Sequence, residues 1–278
     1  MTDGDTAAHQ FKVVLLASDG SDYSAGTERV GLELALRHGS RLYLLRLLTA
    51  EPDSTEAAAE EAEVTAHVER FQIQCAERGM ECTPLLRPSE GDLPQAILNA
   101  SKEVDAQMLV VGRRGKRGLA RLMVGDATAK VLDKADCAVL VVPRLVSFWG
   151  HGILLVLEDQ PAAERDVVAE TAFDLAQTAG LPLTILLVTE DEEKDAELRE
   201  SYQTVNRLVA MAKLREVDAE GMVQSGDIDE LILEVARQRA VDLIVCEPRD
   251  RSMIDRLFNQ NNILTLIGQA HCPVMVVK

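Results

Sequence analysis

The apolar residues of this chain fall into two alternating patterns. Residues 12–17, KVVLLA, form a short run of consecutive apolar positions, which is typical of a strand buried on both faces of a sheet. Residues 22–38 instead place apolar residues at helical spacing among polar ones, and this segment ends before Gly39, a residue type that favours the end of a helix. A strand followed by a helix is therefore the first predicted unit.

The same alternation continues as far as residue 142. Pro84 interrupts one predicted strand and so favours a position at an edge of the sheet. Asp92 can cap a predicted helix, and Pro94 is tolerated in the first turn of that helix. Strands that alternate with helices predict a parallel sheet covered by helices on both faces. The further predicted strands are residues 41–48, 81–87, 107–112 and 138–142, and the further predicted helices are residues 56–78, 91–103 and 122–134.

The chain also repeats itself, in three blocks that keep the same order. QMLVVG matches DLIVCE, ADCAVLVV matches AHCPVMVV, and EGDLPQAIL matches SGDIDELIL in one register, which indicates a duplicated domain. We predict that the two copies meet near residues 144–150, with one domain over residues 1–146 and a second over residues 147–278. The matched ranges are 107–142 with 242–277, 90–98 with 225–233 and, at a slightly different offset, 13–19 with 153–159.

Composition narrows the class of protein. Hydrophobic residues make up 47% of the 278 residues, enough for real cores, and the net charge of −17 opposes binding to nucleic acid and to anionic membranes. The opening MTDGDTAAHQ is polar, and no apolar run approaches the ~20 residues that span a bilayer. Five scattered cysteines without a CxxC pair favour reduced thiols, and no histidine stands at metal-ligand spacing. We therefore expect a cytoplasmic protein without a structural metal.

The stretch VVGRRGKRGLARLMVGDATAKVL, residues 110–132, contains the candidate chemistry. A strand that runs into a glycine-rich turn and then a helix can bind phosphate, because glycine permits close backbone approach and the helix presents unpaired N–H groups. Gly112 follows the fourth predicted strand, and Asp19 follows the first. In such sheets ligands bind beyond the carboxyl ends of strands where the strand order reverses, so both residues lie where a site is expected.

Gly112, Gly115 and Gly125 have the spacing G-x2-G-x9-G. The universal stress protein family carries this glycine pattern after its fourth strand, and the chain resembles that family. Asp19 resembles the family's aspartate at the end of strand one, and residues 137–142 resemble its closing strand. The resemblance implies an α/β fold of two tandem doubly wound domains, each a five-stranded parallel sheet of strand order 3-2-1-4-5, similar to adenine-nucleotide hydrolases. It also implies pairing through the fifth strand.

The resemblance further implies an adenine nucleotide as ligand, ATP or AMP, with Mg²⁺ when the ligand is ATP. The ends of strands one and two would contact the adenosine, and the glycine-rich turn with the start of the following helix would contact the phosphates. The residues so implied are Ala17, Ser18, Asp19, Leu47, Gly112, Arg113, Gly115, Gly125, Asp126, Ala127 and Thr128.

Asp126 departs from the family pattern, which has Ser or Thr after the third glycine. A carboxylate 4 Å from a phosphate charge repels it by roughly 4 kcal/mol at an effective dielectric constant of 20, which would offset about two charge-assisted hydrogen bonds. Three alternatives stay open: Asp126 points away and caps the helix, Thr128 donates to the phosphate instead, or Asp126 binds a Mg²⁺ that bridges to the phosphates. Nearby cations either compensate for this charge or form a solvated loop. These cations are Arg113, Arg114, Lys116, Arg117 and Arg121.

The second copy has lost the glycine motif. The residues that replace the three glycines are Glu247, Asp250 and Gln260. Pro248 removes a backbone donor, and nearby arginines cannot restore the lost backbone freedom, although Asp159 keeps the position of Asp19. We predict that the second copy binds no nucleotide in the family manner and serves as a structural partner.

These observations favour an adenine-nucleotide-binding module of stress response or regulation that acts through its first half. Slow ATP hydrolysis is the most activity expected, since no catalytic set of serine, histidine and acid is evident. Residues 18–24, SDGSDYS, loosely resemble the SGGxDS loop of ATP pyrophosphatases, but Asp19 and Tyr23 break that motif. The alternative is a ligand-free scaffold that acts only through protein contacts. We also expect AVLVVP to pair with PVMVVK inside one chain, and we expect a homodimer and an unidentified protein partner.

Overall fold

Strands and helices alternate along the chain, as the apolar pattern predicts. The computed structural model describes residues 11–51, 54–113, 124–146, 150–158, 162–189, 195–248 and 263–278. The first half contains β1 (Val13–Ala17), α1 (Ala25–His38), β2 (Arg41–Leu48), α2 (Thr55–Ala76), β3 (Cys82–Pro88), α3 (Leu93–Glu103), β4 (Met108–Gly112), α4 (Asp126–Lys134) and β5 (Ala138–Val142). The second half contains β6 (Ile153–Leu157), α5 (Ala162–Ala179), β7 (Leu183–Thr189), α6 (Asp195–Leu214), β8 (Ala219–Ser225), α7 (Ile228–Gln238), β9 (Leu243–Cys246), α8 (Ile263–Gln269) and β10 (Val274–Val276).

These strands form a single sheet in the order β3-β2-β1-β4-β5-β10-β9-β6-β7-β8. Within each half the strands are parallel and follow the order 3-2-1-4-5, which confirms the predicted fold. The strand that contains Pro84, β3, lies at one edge, as expected. The halves meet where β5 pairs antiparallel with β10 and Leu140 lies opposite Met275. This pairing, called the central seam below, confirms the expected contact between the two closing strands.

Helices cover both faces of the sheet, because consecutive strand residues point to opposite faces and both sets are apolar. Leu16 of β1 belongs to one core with Val30 and Phe71, whereas Leu15 belongs to a second core with Leu98. The first core is covered by α1, α2, α5 and α6, and the second by α3, α4, α7 and α8. Burial on both faces explains why the strands read as continuous apolar runs.

The predicted capping residue of the third helix is confirmed, although the helix begins at Leu93 and not at residue 91, and the second half repeats the cap. Asp92 is the N-cap of α3, and its carboxylate accepts a hydrogen bond from the N–H of Gln95 at 3.2 Å. Asp227 occupies the matching position of the repeat and accepts from the N–H of Glu230 at 3.0 Å. The two copies therefore share local structure as well as apolar spacing.

The predicted start of the fourth helix is wrong. The prediction began at residue 122, but α4 begins at Asp126, and the preceding residues Val124 and Gly125 are not helical. Gly125 is extended, with φ −69° and ψ 146°, and its N–H donates to the carbonyl of Arg113 at 3.0 Å. A hydrogen bond across the turn decides where this helix starts, and apolar spacing does not report such a bond.

Matching positions before β4 and β9 tie each of these strands to the first strand of its half. Gln107 accepts a hydrogen bond through Oε1 from the N–H of Val13 at 2.8 Å. Asp242, at the matching position, is 4% exposed, and its Oδ2 accepts from the consecutive N–H groups of residues 150–152 at 2.8, 2.7 and 3.2 Å. The two copies therefore keep the same connection while the acceptor changes from an amide to a carboxylate.

The halves also touch through helices on the face of the first core. α1 contacts α5, the Nη1 of Arg37 donates to the carbonyl of Ala179 at 3.4 Å, and Nδ1 of His38 lies 3.4 Å from the carboxylate of Asp174. Because Ala179 is the last residue of α5, Arg37 places a cation at the negative end of that helix dipole.

Candidate functional site

Three neighbouring strands, β2, β1 and β4, bring the predicted adenosine and phosphate positions to one edge of the sheet. β1 pairs with β4, with Ala17 opposite Val111, so Ser18 and Asp19 lie beside the end of β4 at Gly112. β2 pairs with β1 on its other side, and its half-buried Leu47 extends beyond the end of β1. The structure thus groups these sequence-predicted residues at the carboxyl edge, where the strand order reverses.

Two hydrogen bonds hold the start of α4 against the end of β4. The N–H of Gly125 donates to the carbonyl of Arg113 at 3.0 Å, and the buried hydroxyl of Thr128 donates to the carbonyl of Gly112 at 2.9 Å. Gly125, Asp126, Ala127 and Thr128 are therefore brought to the predicted phosphate position. The second glycine of the motif, Gly115, lies outside the described residues. So do four of the five cations predicted to matter here, which are Arg114, Lys116, Arg117 and Arg121.

The N-terminus of α4 has the features of an anion site, with one charge of the wrong sign. Gly125 is the N-cap and has no side chain to satisfy the first N–H groups of the helix. Its φ of −69° is open to any residue, so glycine serves here by its lack of a side chain and not by an unusual backbone angle. Asp126 is exposed in the first turn, where its charge suits the helix dipole but opposes a phosphate.

This geometry narrows the alternatives for Asp126. The N-cap is Gly125, so Asp126 is not the capping residue of the helix. A hydroxyl has one proton to donate, and Thr128 donates it to Gly112, so donation to a phosphate would require that bond to break. An Asp126 that points away from the phosphate and an Asp126 that binds a bridging Mg²⁺ both leave these contacts unchanged.

Arg113 reaches across the central seam. Its Nη1 donates to the carbonyls of Ile267, Gly268 and Ala270 at 3.1, 3.0 and 2.9 Å. These carbonyls belong to the last turn of α8 and the residue beyond it, where a helix lacks internal donors. The predicted phosphate contact therefore has a second partner that no local motif indicated, since the partner lies more than 150 residues away in sequence.

Asp19 organises the loop between β1 and α1. Its Oδ1 accepts hydrogen bonds from the N–H of Ser21 at 3.0 Å, from the hydroxyl of Ser21 at 2.6 Å and from the hydroxyl of Ser24 at 2.6 Å. The carboxylate itself is exposed at the carboxyl edge of the sheet. The loop therefore fixes the orientation of Asp19 before any ligand is present.

A buried polar network that the sequence did not indicate lies beneath this loop. The hydroxyl of Ser18 donates to Glu28, Glu28 lies 2.9 Å from Nε2 of His67, and Nδ1 of the same ring lies 3.3 Å from Nη1 of Arg46. Ser18, His67 and Arg46 are each less than a tenth exposed. The network joins the loop to α1, α2 and β2, so it supports the residues at the candidate site from behind.

Arg46 is the charged centre of this network. Burial lowers the pKa of its guanidinium, while the carboxylates of Asp19, Glu63, Glu28 and Glu60 raise it. The guanidinium of an arginine stays protonated in proteins. The four surrounding carboxylates offset part of the cost of desolvating that charge.

The corresponding position of the second half is acidic. Glu247 takes the place of Gly112, and burial and the charge of Glu158 raise the pKa of its carboxyl while Arg165 lowers it. Within the described residues, Oε1 of Glu247 is buried without a hydrogen-bond partner. Two carboxylates at this edge oppose a phosphate. The other residues predicted to matter here lie outside the described residues; they are Asp159, Arg249, Asp250, Arg251, Arg256 and Gln260.

Other candidate sites in the described part of the chain are few. These residues contain no group of three or more His, Cys, Asp or Glu side chains that could hold a metal, and no helix among them has the length and apolarity needed to cross a membrane. A cavity lined by Ser101, Lys102 and Cys137 lies at the amino ends of β4 and β5, whereas the candidate site lies at the carboxyl ends of the strands.

The fold defines the class: a duplicated doubly wound α/β protein whose first half brings the start of α4 to the ends of β1 and β4. The model of the universal stress protein family matches residues 10–143 and again residues 151–278. The chain therefore belongs to the universal stress protein family and contains two copies of its domain.

Known relatives agree with this division. A universal stress protein of Thermus aquaticus is 32% identical over 136 residues, which cover 48% of this chain and 98% of the relative. Universal stress protein YxiE of Bacillus subtilis is 28% identical over 148 residues, which cover 48% of this chain and 99% of the relative. Each relative thus spans about half of this chain.

Solved structures share the fold of the whole chain. A universal stress protein from Archaeoglobus fulgidus is 17% identical with a TM-score of 0.71, and the match covers 97% of both chains. A Pseudomonas aeruginosa protein described as a universal stress protein is 16% identical with a TM-score of 0.72, and the match covers 98% of this chain and 95% of that one. At these identities the likeness extends to the fold alone.

Proposed function

We propose that the first half of this protein binds an adenine nucleotide, ATP or AMP, and that the chain acts as a regulatory module of the stress response. The observation that carries this proposal is the position of the α4 N-terminus, which the bonds of Gly125 and Thr128 hold against the end of β4 beside the Asp19 loop. The N–H groups of the first turn then lie at the reversal point of the sheet, where α/β proteins bind ligands.

The proposed site has two sides. The adenosine would lie against the ends of β1 and β2, and the phosphates would lie at the glycine turn and the start of α4. Arg113 would contribute by holding the glycine turn in place, because its Nη1 is bonded to the end of α8 and its N–H donates to the carbonyl of Val142. The adenosine side comprises Ala17, Ser18, Asp19 and Leu47, and the phosphate side comprises Gly112, Arg113, Gly115, Gly125, Asp126, Ala127 and Thr128.

Asp126 fits a role as a Mg²⁺ ligand when the nucleotide is ATP. Its carboxylate is exposed in the first turn of α4, and Mg²⁺ is commonly held by one or two carboxylates together with phosphate oxygens. The ion would neutralise charge between the carboxylate and the phosphates.

Titration calorimetry with ATP and with AMP, each with and without Mg²⁺, tests the proposal. Gly125→Val is expected to abolish the heat of binding, because the new side chain would occupy the phosphate position while φ −69° and ψ 146° suit a β-branched residue without strain. Gln260→Val, at the matching position of the second half, is the control and should leave binding unchanged. Absence of heat from the unaltered protein at millimolar nucleotide would refute the proposal.

A ligand-free scaffold is the second candidate, and Asp126 is the observation that favours it. In that case the anion geometry of α4 is a remnant, and the surface acts through protein contacts only. Calorimetry separates the two candidates, since the scaffold predicts no heat with either nucleotide under any metal condition.

Catalysis is not part of the proposal, for a geometric reason. Ser18, His67 and Glu28 are the residue types of a hydrolase triad, but Glu28 stands between the other two and contacts both. A triad needs the histidine next to the serine so that the imidazole takes the hydroxyl proton. The second ring nitrogen of His67 lies against Arg46 instead, which suits support of the loop rather than proton transfer.

A further inference from the structure

Two cations cross the central seam in opposite directions and reach matching helices. The Nζ of Lys278, which follows β10 in the second half, donates to the carbonyl of Leu132 in the last turn of α4 at 2.6 Å. Arg113, which follows β4 in the first half, donates to the carbonyls at the end of α8. α4 and α8 occupy the same position in the two copies, so each half holds the same helix of the other half.

The acceptors are carbonyls that the helices themselves leave without donors. In α4 the carbonyl of Val131 accepts a hydrogen bond from the N–H of Ala135 at 2.9 Å, whereas the carbonyl of Leu132 accepts one from the ammonium of Lys278. In α8 the carbonyl of Leu266 accepts from the N–H of Ala270 at 2.8 Å, and Arg113 bonds to the carbonyls that follow. A cation at this end also interacts favourably with the negative end of the helix dipole.

Helices as short as these depend on such contacts. α4 has 9 residues and α8 has 7, and isolated helices below about 12 residues are marginal in water. Both must be stabilised by packing and by groups at their ends. The position of α4 matters most, because its N-terminus forms the phosphate side of the proposed site.

The main chain of Arg113 and the ammonium of Lys278 are both held by neighbouring groups, in addition to their bonds across the central seam. The main chain of Arg113 is held on both sides, since its N–H donates to Val142 at 2.7 Å and its carbonyl accepts from Gly125 at 3.0 Å. Burial lowers the pKa of the Lys278 ammonium, and Asp133 is the largest charge that raises it. One residue thus joins the glycine turn to the second half, and the other joins the second half to the far end of α4.

We propose that the second half is a positioning element for the nucleotide site of the first half, and that Lys278 is a positioning residue that fixes α4 across the central seam. The nucleotide part of this proposal rests on the function proposed above, whereas the fixing of α4 does not. The second half, which has lost the glycine motif, would then serve the nucleotide site of the first half.

Lys278→Met tests the proposal, because it keeps an unbranched side chain and removes the charge. Lys278 bonds near the end of α4, about 10 Å from the N-terminus of the helix at 1.5 Å per residue, so a change in binding would not come from lost ligand contact. We expect Lys278→Met to bind ATP about two- to five-fold more weakly, because it loses a cation at a helix end; titration calorimetry measures this affinity. Lys278→Arg should restore the affinity.

Arg37→Met is the matched control. Arg37 also donates across the boundary between the halves to the last residue of a helix, but that helix, α5, belongs to the other face of the sheet. Its loss should leave ATP affinity unchanged. Equal affinity of Lys278→Met and the unaltered protein, or equal weakening by Arg37→Met, would overturn the positioning of the nucleotide site.

Amide hydrogen exchange without nucleotide separates this inference from the proposed function. Lys278→Met should speed exchange in α4 by a few-fold and Arg37→Met should not, whether or not the protein binds ATP. If the unaltered protein binds no nucleotide, the proposed function fails while faster exchange still supports the fixing of α4 by Lys278. Unchanged exchange in α4 overturns the inference even if ATP binds.

Discussion

Both the backbone angle and the lack of space for a side chain require a glycine at position 20. Its φ is +68°, and a Cβ built there would lie 1.9 Å from Nη1 of the buried Arg46. A glycine is therefore needed for the left-handed conformation and for the close approach of the loop to the guanidinium. The polar network beneath Asp19 depends on the absence of one methyl group.

Gly20→Ala is expected to lower the free energy of unfolding by about 2–4 kcal/mol, the sum of a left-handed backbone penalty and a steric clash in a packed region. Gly79→Ala is the control, since Gly79 has φ +75° but nothing within 4 Å of its Cβ position, and should cost only about 1–2 kcal/mol. Urea unfolding of the two variants measures the difference. Equal losses would mean that Arg46 yields freely and that the network does not constrain the loop.

Glu247 is one of the residues behind the prediction that the second half binds no nucleotide. Burial and the charge of Glu158 raise the pKa of its carboxyl, so the folded state holds this proton more tightly than the unfolded state. The protonated form therefore contributes stability at low pH that is lost as the pH rises through the raised pKa. At neutral pH the ionised carboxylate is a cost to the fold.

Glu247→Gln is expected to raise the free energy of unfolding at pH 7 by about 1 kcal/mol, by removing a charge with a buried oxygen. The gain should shrink as the pH falls through the raised pKa toward the ordinary glutamate value of 4.5. Glu103→Gln is a control of opposite sign, because the hydrogen bond from Arg87 lowers the pKa of Glu103. A gain from Glu247→Gln that does not vary with pH would contradict the assignment.

At the scale of elements, α4 combines a favourable N-terminus with an unfavourable charge. Gly125 has no side chain to cap the first N–H groups, and Asp126 places an exposed carboxylate in the same turn. Because Asp126 is exposed, solvent screens its repulsion of a phosphate below the roughly 4 kcal/mol of a partly buried pair, to about 1 kcal/mol. The charge therefore weakens the proposed phosphate site without excluding it.

Asp126→Ser tests this balance. Without Mg²⁺ the variant should bind ATP about five-fold more tightly, since about 1 kcal/mol of repulsion is removed and a hydroxyl donor is gained. With Mg²⁺ the order should reverse if Asp126 is a ligand of the ion, and Asp126→Ala should then bind more weakly than the unaltered protein. Calorimetry under both conditions gives the answer. Weaker metal-free binding by Asp126→Ser would contradict the repulsion argument.

At the scale of the whole molecule, the central seam uses the surface through which the family resemblance implies pairing. β10 occupies the edge of β5 within one chain, so the sheet ends at β3 and β8. A homodimer, which stays a prediction, would therefore need a surface other than the fifth strand. The two halves share one sheet and exchange contacts at α4 and α8, so we expect them to respond together to a ligand.

Much of the fold could be predicted because it depends on local signals. The edge position of Pro84 and the cap at Asp92 follow from the residue types along an alternating apolar pattern, whereas the strand order was implied by the family resemblance. The start of α4 could not, because a hydrogen bond between Gly125 and Arg113 decides it. The phosphate side of the site was predicted by glycine spacing, but the network around Arg46 carries no spacing signal.

The sequence by itself determined two copies of an α/β unit, the residues at the carboxyl ends of the strands, and the loss of the glycines in the second copy, because each of these is written in periodicity and residue type along the chain. Only the tertiary structure decided that Arg113 and Lys278 reach the helices of the opposite half and that Arg46 lies beneath Gly20. The physical reason is that a side-chain donor bonds to whichever acceptor folding brings near. Here those acceptors are main-chain carbonyls, which every residue possesses and which no sequence pattern marks.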